Sequence, residues 1–217
     1  MNNFLRTRFE IDEATKYLKE NKLVESGLSC KNWEIASIIP HLTDSELCDL
    51  GSDGSVVIPN ALALGLKGTK VGIDLAYKED IVTPDGVHYI KGDLMQTPFE
   101  NESFDIVTSL SVVEHSVDVN KFAQECHRIL KPEGKLFVSF DYWPEKINTK
   151  GILLYNLEWN IMDRYEAFLM VSAFLSKGFA LTSQIDWTVQ DKVIDETFCS
   201  PAKGIGYTFG MINLIKK

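Results

Sequence analysis

The ten residues at positions 46–55, ELCDLGSDGS, constrain the fold of this chain more than any other stretch. An apolar segment ends there in a cluster of glycine, serine and aspartate, which predicts a strand that leads directly into a tight turn. Gly51 and Gly54 adopt positive φ angles at little steric cost, so a ligand can approach the backbone. The helix predicted to begin near Ser55 would direct unpaired N–H groups and the positive end of its dipole towards that ligand.

Acidic residues follow the next two apolar runs. Asp74 ends the run VGID, 25 residues after Asp49, and Asp93 follows HYIKG, 19 residues after Asp74. In a doubly wound sheet such positions lie along one edge, outside the carboxyl ends of the strands, where these folds bind ligands. A glycine turn followed by an acid about 20 to 25 residues later suits a ribose, because one carboxylate can accept hydrogen bonds from both hydroxyl groups. The sequence therefore predicts a nucleoside site.

The glycine turn also indicates which kind of nucleoside binds. Dinucleotide-binding proteins use the pattern G-x-G-x-x-G. This turn carries only Gly51 and Gly54, with no third glycine three residues later. The pattern therefore favours a nucleoside without a pyrophosphate.

The composition is that of one globular domain spanning residues 1–217. Hydrophobic residues make up 45% of the chain and charged residues 24%, which is ordinary for a globular protein. The net charge of −9 and the pI near 5.0 disfavour a nucleic-acid substrate, because phosphate backbones are bound by faces rich in Lys and Arg.

Nothing in the sequence predicts secretion, a membrane span or a metal site. The four cysteines are far apart and show neither CxxC spacing nor a Cys/His ligand pattern, which predicts reduced thiols. The amino terminus lacks the apolar core of a signal peptide, and the most apolar run, VVIPNALALGL, is too short to span a bilayer. We expect a cytoplasmic protein with no metal ion and no membrane partner.

Strands alternate with helices along the chain, which predicts a parallel sheet with right-handed crossovers. The predicted helices cover residues 10–25, 32–39, 56–66, 119–130 and 161–175. The predicted strands cover residues 46–50, 71–74, 88–91, 104–109, 135–140, 179–187 and 206–215, with loops at 75–87 and 188–203 and a KPEG turn at 131–134.

A family resemblance rests on five segments in this order: DLGSDGS, GIDL, GDLMQTPF, SFDIVTSLSVVEH and ECHRILKPEGKLFVSF. Over about residues 45–141 the chain resembles the class I S-adenosylmethionine-dependent methyltransferases, specifically the small type grouped as methyltransferase type 11. The first motif of that family reads D-x-G-x-G-x-G, and this chain has Asp53 and Ser55 in place of the second and third glycines. Asp tolerates unusual φ angles better than most residues, so the turn can still form.

The resemblance implies an α/β fold with a Rossmann-like, doubly wound, seven-stranded sheet. This sheet would be mostly parallel with an antiparallel last strand, and helices would cover both faces. Residues 1–44 would form an amino-terminal helical cap, and residues 45–217 would form the Rossmann-like core. The implied cofactor is S-adenosyl-L-methionine, with S-adenosyl-L-homocysteine as its product.

The resemblance also assigns cofactor contacts to the strand ends. Asp74 would bind the ribose hydroxyl groups, with Leu75 beside it in the same site. Asp93 would accept a hydrogen bond from the adenine amino group, while the Leu94 N–H would donate to the ring. The methionine part would lie against the amides of the turn and the end of the fourth strand, at Gly51, Ser52, Asp53, Gly54, Ser109 and Leu110.

The cofactor's ammonium group needs a negatively charged partner. Asp53 is one candidate and Asp49 is the other. Because Asp49 lies within a strand, the alternative is that its carboxylate braces the turn through hydrogen bonds of its own. Both interpretations stay open at this point.

Methyl transfer is an in-line displacement in which the protein mainly aligns the reacting atoms. The remaining task is removal of a proton from an oxygen or nitrogen nucleophile. His115, just past the fourth strand, is the first candidate base because histidine titrates near neutral pH, and Glu114 is the second. Packing or cofactor contact is the alternative for His115.

The candidate substrate-binding residues lie outside the motifs. In the resembling family, helices ahead of the first strand commonly cover the cofactor and help to shape the substrate pocket, so Trp33 and Glu34 are candidates, with packing in the core as the alternative for Trp33. Asp141, Tyr142 and Trp143 follow the fifth strand and are expected to face the pocket. The two aromatic rings would enclose a methyl acceptor or an amine.

We therefore predict a metal-independent methyltransferase acting on an oxygen or nitrogen of a small-molecule acceptor, as a monomer or homodimer and without nucleic acid. Two alternatives stay open. A nucleotide-dependent oxidoreductase of Rossmann type would use a similar turn and Asp74. A catalytically idle protein that binds an adenosyl ligand would account for the unusual first motif.

Overall fold

The computed structural model describes residues 2–195, 202 and 204–217. Within them, a mixed sheet of ten strands forms the centre of the fold, and a two-stranded hairpin is separate from it. The strands are β1 (Asn3–Phe4), β2 (Leu47–Leu50), β3 (Lys70–Asp74), β4 (Ile81–Val82), β5 (His88–Lys91), β6 (Phe104–Leu110), β7 (Leu130–Tyr142), β8 (Leu153–Leu154), β9 (Leu157–Glu158), β10 (Phe179–Leu181), β11 (Ile194–Asp195) and β12 (Gly206–Lys216). The helices are α1 (Arg8–Glu20), α2 (Lys31–Ile38), α3 (Val57–Ala63), α4 (Val119–Ile129) and α5 (Arg164–Ser176), and a short 3-10 helix covers Ile39–His41.

The main sheet runs in the order β5–β3–β2–β6–β7–β12, with β10 on the far side of β12. The pairings from β5 to β7 are parallel, whereas β12 runs antiparallel to β7. The strand order reverses between β2 and β6, so a crevice forms outside the carboxyl ends of these two strands. The predicted doubly wound α/β sheet with an antiparallel last strand is confirmed.

Three two-residue strands extend this sheet in the described residues: β1 and β11 pair with β12, and β4 pairs with β5. The first of them explains why β10 is shorter than the strand predicted over residues 179–187. Because β1 pairs with Gly210 and Met211, the edge of β12 that residues 184 and 185 would need is already occupied.

The fifth strand of the prediction also differs in its start. KPEG was predicted as a turn ahead of the strand, but β7 includes residues 131–134. Its pairing with β6 jumps from Phe104–Leu130 to Ile106–Lys135, which makes KPEG a bulge within the strand. Glu133 has a φ of 61° there. The irregular backbone at residues 131–134 was therefore predicted correctly, but it lies within the strand and not ahead of it.

Helices pack against both faces of the sheet, as predicted. Apolar residues of α4 and α5 belong to one hydrophobic cluster, and those of α1, α2 and α3 belong to the other. α1 begins after Thr7, whose hydroxyl accepts the Glu10 N–H, and it ends at Glu20, before the predicted residue 25. α3 begins at Val57, one residue after the start of the predicted range 56–66, and Pro59 lies in its first turn, where its missing N–H has no partner to lose.

Residues 2–44 contribute β1 to the main sheet as well as α1 and α2 to one of its faces. The division into a cap and a core at residue 44 stays a prediction. None of the helices in the described part of the chain combines the length and hydropathy that a membrane span requires.

The two glycines of the turn after β2 differ in what surrounds them. Gly51 has a φ of +80°, and a Cβ atom built on it would lie 2.4 Å from Cγ2 of Val112. Gly54 has a φ of +73°, but a Cβ atom there would meet no atom within 4 Å. Backbone conformation and close packing therefore both require glycine at position 51, and conformation alone requires it at position 54.

This difference predicts unequal costs for two alanine substitutions. Gly54→Ala should lower the free energy of unfolding by about 1–2 kcal/mol, the cost of a left-handed backbone for an L-residue. Gly51→Ala should lower it by about 2–4 kcal/mol, because the clash with Val112 adds to the same conformational cost. Urea unfolding followed by circular dichroism measures the free energy of unfolding of both variants. Equal decreases for the two variants would show that the clash with Val112 does not contribute to stability.

Candidate functional site

Three consecutive strand ends meet at the carboxyl edge of the sheet. The N–H groups of Gly51 and Ser52, after β2, donate to the Ile73 carbonyl of β3 at 2.9 and 3.2 Å. Beyond β5, the Gly92 N–H donates to the Asp74 carbonyl at 3.1 Å. The turn after β2 and the ends of β3 and β5 are therefore joined into one surface.

The Asp74 carboxylate lies at the centre of this surface. Its Oδ2 accepts the Asp53 N–H at 3.0 Å, and its Oδ1 accepts the Ala76 N–H at 2.8 Å. Each carboxylate oxygen can accept a further hydrogen bond, and the side chain is only half-buried. Asp74 can therefore still bind two hydroxyl groups, while the neighbouring Leu75 is exposed.

Three of the four turn amides predicted to face a ligand are engaged within the chain. Gly51 and Ser52 donate to Ile73, and Asp53 donates to Asp74. The predicted role of these amides in holding a ligand carboxylate stays a prediction. Asp53 and Gly54 themselves are exposed at the surface of the turn.

The third strand end places Asp93 and Leu94 next to this turn. Oδ1 of Asp93 accepts the Met95 N–H at 2.8 Å, as in an Asx turn, and the side chain is half-buried. Leu94 is buried in the core. The Asx turn fixes the direction of the carboxylate, and its other oxygen is available for an amino group.

Asp49 is a buried carboxyl group within β2. Its Oδ1 accepts the Thr108 hydroxyl of β6 at 2.6 Å, and only 1% of the residue is exposed. Burial raises the pKa of Asp49 to about 6, against hydrogen bonds from Ser55 and Thr108 that lower it. The structure therefore supports the interpretation in which Asp49 braces the turn.

One contact of the turn was not foreseen from the sequence. The Ser52 hydroxyl lies 2.9 Å from the Tyr77 hydroxyl, and the Tyr77 ring packs edge-on against Tyr89. Burial raises the pKa of Tyr77 to about 12. Tyr77 lies in the segment predicted only as a loop, and no periodicity there indicates it.

The end of β6 lies beside the turn, as predicted. Ser109 is fully buried, and its hydroxyl has no hydrogen-bond partner in the described part of the chain. Leu110 is half-buried. Ser111 follows with a φ of 52° and donates its hydroxyl to Glu34 at 2.6 Å.

Helix α2 lies across the ends of β6 and β7. Glu34 is 1% exposed, and its Oε1 accepts the hydroxyl groups of Ser111 and Ser139. Its Oε2 lies 3.6 Å from the ammonium group of Lys31, one helical turn earlier. Burial lowers the pKa of Lys31, but the carboxyl groups of Glu34, Asp141 and Glu114 together raise it above its ordinary value.

Glu114 and Asp141 form a buried carboxyl pair next to Lys31. Oδ2 of Asp141 accepts the Trp159 indole N–H at 2.7 Å, and the two carboxyl groups are close enough for a hydrogen bond when one is protonated. Burial raises the pKa of Asp141 to about 7, and burial together with Asp141 raises that of Glu114 well above its ordinary range. The pair therefore holds a proton near neutral pH.

His115 differs from what its position in the sequence suggests. Its ring packs edge-on against Tyr155, and its Nδ1 is buried without a partner among the described residues. Burial lowers the pKa of His115 to about 4, helped by the charge of Lys31. A neutral imidazole with that pKa is a weak base at pH 7.

The predicted substrate-binding residues do not meet in one pocket. Asp141 and Tyr142 are adjacent in β7, so their side chains point to opposite faces of the sheet. Tyr142 is fully buried among aromatic rings that include Phe4, and Trp33 is buried in the core. The expectation that Asp141 and Tyr142 both face the acceptor was therefore wrong.

Trp143 is half-buried and already has a cationic partner. The Lys192 ammonium lies 5.0 Å from the centre of its ring. An aromatic cage built from Trp143 and Tyr142 is not present in the structure, because the Tyr142 ring lies in the core.

A cavity of about 580 Å³ adjoins Glu114, one member of the carboxyl pair. It lies between the segment after β6 and helix α5, and its lining includes Glu114, Asn160, Met162 and Met170. The Asn160 N–H donates to the Glu114 carbonyl at 2.9 Å, which joins the two walls. The cavity is distinct from the surface around Asp74.

In the described residues, no three His, Cys, Asp or Glu side chains are grouped so as to hold a metal ion.

Comparisons with known proteins agree with this geometry. Residues 49–138 match a family model described as a methyltransferase domain. Sterol 24-C-methyltransferase of Pneumocystis carinii is 34% identical over 88 residues, which cover 40% of this chain and 23% of that protein. Ubiquinone biosynthesis O-methyltransferase of Bartonella tribocorum is 30% identical over 117 residues, which cover 50% of this chain and 45% of that protein. The chain thus spans less than half the length of these relatives.

A solved structure has the same fold. It is an S-adenosylmethionine-dependent methyltransferase from Mesorhizobium loti, with a TM-score of 0.61 and 16% identity. The superposition covers 88% of this chain and 99% of that one.

The raised pKa of Asp49 predicts a pH-dependent stability. Because its folded pKa of about 6 exceeds the ordinary value of 3.8, its contribution to stability is complete below about pH 4 and is lost as pH rises through 6. Asp49→Asn removes this titration. Between pH 4 and pH 8 the variant should therefore lose about 2–3 kcal/mol less unfolding free energy than the parent protein.

Urea unfolding at several pH values measures this difference, and Asp105→Asn is the control. Burial raises the pKa of Asp105, but a hydrogen bond from the Glu46 N–H and the Lys131 ammonium, 3.0 Å away, together hold it below its ordinary value. Asp105→Asn should therefore change the pH dependence in the opposite direction. Identical pH profiles for Asp49→Asn and the parent protein would contradict the assignment.

Proposed function

We propose that this chain, whose residues 49–138 match a methyltransferase domain and whose fold is that of an S-adenosylmethionine-dependent methyltransferase, methylates an oxygen or nitrogen of a small molecule. S-adenosylmethionine supplies a methyl group on a positively charged sulfur and leaves as S-adenosylhomocysteine. The protein has to hold the donor, align the acceptor with the methyl carbon and accept a proton.

The observation that carries this proposal is the junction of the three strand ends. The hydrogen bond from the Asp53 N–H to Asp74 fixes the carboxylate against the glycine turn, and the bond from Gly92 to Asp74 fixes the next strand end beside it. A ribose-binding acid and an adenine-binding segment are thereby held on one surface. This arrangement suits an adenosyl group without a diphosphate.

The residues present fit such a cofactor. Asp74 retains acceptor capacity for two hydroxyl groups, Asp93 has one oxygen outside its Asx turn, and the Ser109 hydroxyl is a buried polar group next to the turn. Asp74, Asp93 and Ser109 would hold the ribose, the adenine and the methionine part respectively.

The choice of an oxygen or nitrogen acceptor is the finer part of the proposal. The relatives named above include a C-methyltransferase and an O-methyltransferase. A nucleophilic oxygen or nitrogen must lose a proton, and the Glu114–Asp141 pair is a proton acceptor near the end of β7. The low pKa of His115 makes it a poorer candidate base than Asp141.

Binding of S-adenosylhomocysteine tests the donor site. Isothermal titration should detect binding of S-adenosylhomocysteine and none of NAD. Asp74→Ala should weaken that binding by about 100-fold or more, because two hydrogen bonds to a charged group are lost, each contributing about 1.5–3 kcal/mol. Asp74→Asn, which keeps one acceptor oxygen, should lose less.

Asp85→Ala is the matched control, because Asp85 is an exposed acid in the turn between β4 and β5, away from the three strand ends. It should bind S-adenosylhomocysteine as the parent protein does. Tight binding of NAD in place of S-adenosylhomocysteine would indicate an oxidoreductase. Transfer of labelled methyl from S-adenosylmethionine to a molecule in an extract of the source cell would exclude the catalytically idle alternative.

The remaining sequence predictions concern surroundings rather than chemistry. Four of them stay predictions: a small-molecule acceptor, the lack of a nucleic-acid, membrane or metal partner, a monomeric or homodimeric state, and a cytoplasmic location.

A further inference from the structure

The carboxyl pair of Glu114 and Asp141 has more acceptors than donors. Glu114 is 1% exposed and Asp141 is 4% exposed. Apart from a proton that the two carboxyl groups share, Oδ1 of Asp141 and both carboxyl oxygens of Glu114 have no hydrogen-bond donor in the described part of the chain. Three oxygens of two buried side chains thus have at most one proton between them, which is unusual for buried polar groups.

The charged groups around the pair do not supply those donors. Lys31, on α2, is the cation that faces the pair, and its ammonium group is the partner of Glu34. His115 is neutral, and the Trp159 indole is already bonded to the other oxygen of Asp141. One proton shared by Glu114 and Asp141 would leave the cluster with a net negative charge.

We propose that the Glu114–Asp141 pair binds the ammonium group of an amine and that this amine is the methyl acceptor. An ammonium group that displaces the shared proton brings three N–H donors and a positive charge, which matches the three oxygens and the uncompensated negative charge. An anionic acceptor would be repelled by the same pair, and a hydroxyl group would supply one donor only. This inference rests on the proposed methyltransferase function and narrows it to nitrogen.

The cavity beside Glu114 provides an approach to the pair. Glu114 forms part of its wall, together with Asn160 and Met162. On the other side, Trp159 covers Asp141 through the bond from its indole N–H. Because both acids are buried and Trp159 covers Asp141, the groups that surround the pair have to shift for an amine to reach the three oxygens.

The chemical step balances with the groups present. The bound ammonium gives one proton to the Asp141 carboxylate and becomes a neutral amine with a free electron pair. That nitrogen forms a bond to the methyl carbon, and the electrons of the broken carbon–sulfur bond remain on sulfur. The methylated ammonium product leaves, and Asp141 releases its proton to solvent.

The first test is binding of the reacting group by itself. Methylammonium chloride should raise the melting temperature of the protein loaded with S-adenosylhomocysteine above the effect of sodium chloride at equal ionic strength. Methanol should have no such effect. Asp141→Asn and Glu114→Gln should each abolish the shift, whereas Asp105→Asn, an equally conservative change at the start of β6, should retain it.

Two controls separate binding from folding and from the donor site. Both cluster variants should keep the circular dichroism spectrum of the parent protein and its affinity for S-adenosylhomocysteine. If one of the two variants fails to fold, the effect of methylammonium on the melting temperature of the other variant decides. A methylammonium effect no larger than that of sodium chloride, or one that survives both substitutions, would overturn the proposal.

The second test identifies the product class without knowledge of the acceptor. Labelled product from a cell extract should bind a cation-exchange resin at pH 6 and should pass into an organic solvent at pH 11, where an amine is uncharged and the unreacted donor, which carries both a sulfonium and a carboxylate, stays in water. Labelled product that is neutral or anionic at pH 6 would overturn the amine inference and leave the methyltransferase proposal intact. A protein that neither binds S-adenosylhomocysteine nor transfers label would overturn both. If it binds S-adenosylhomocysteine and no product forms, the methylammonium result decides.

Discussion

The hydrogen bond from the Asp53 N–H to the Asp74 carboxylate is the interaction on which the arrangement of this site depends. It joins the turn after β2 to the end of β3, and it needs a backbone that only glycine at position 51 can provide. Through it, two strand ends that are separate in sequence become one surface. The replacement of a motif glycine by Asp53 leaves this bond intact, because the donor is a backbone group.

β12 organises the other half of the molecule. It pairs with β7 along one edge and with β1, β10 and β11 along the other. Because β1 anchors the amino terminus to the sheet, α2 follows at a defined place above the ends of β6 and β7. Glu34 then bonds Ser111 and Ser139, so the amino-terminal segment is part of the candidate acceptor site.

The cluster around Asp141 works against stability. Buried carboxyl groups with raised pKa values favour their neutral forms, and each free oxygen costs about 1–3 kcal/mol of stabilisation. Functional sites are where proteins retain such arrangements. The ion pair of Lys31 and Glu34 on α2 is compatible with a functional role for this cluster. A lysine that is already paired with Glu34 reduces the negative charge around Glu114 and Asp141 without donating to their free oxygens.

The fold could be predicted from the sequence because its determinants are local. Apolar periodicity gave the order of strands and helices, and parallel pairing then placed Gly51, Asp74 and Asp93 at one edge. The predicted starts of α3 and α4 were right to within one residue for the same reason, since Pro59 and the Asp118 cap act within one turn of each helix.

Only the tertiary structure decided which side chains form the proposed acceptor site. The bonds from Ser111 and Ser139 to Glu34 join residues 77 and 105 positions apart, and no spacing rule predicts them. The bulge in β7 and the alternation along it turned Asp141 towards Glu114 and placed Tyr142 in the core. The pKa values of Asp141 and His115 likewise follow from burial and neighbouring charge, which the chain acquires only when it folds. The sequence by itself therefore determined the sheet and the edge proposed to bind the donor, because these depend on local pattern, and the fold decided the proposed acid–base groups, because these depend on long-range contacts.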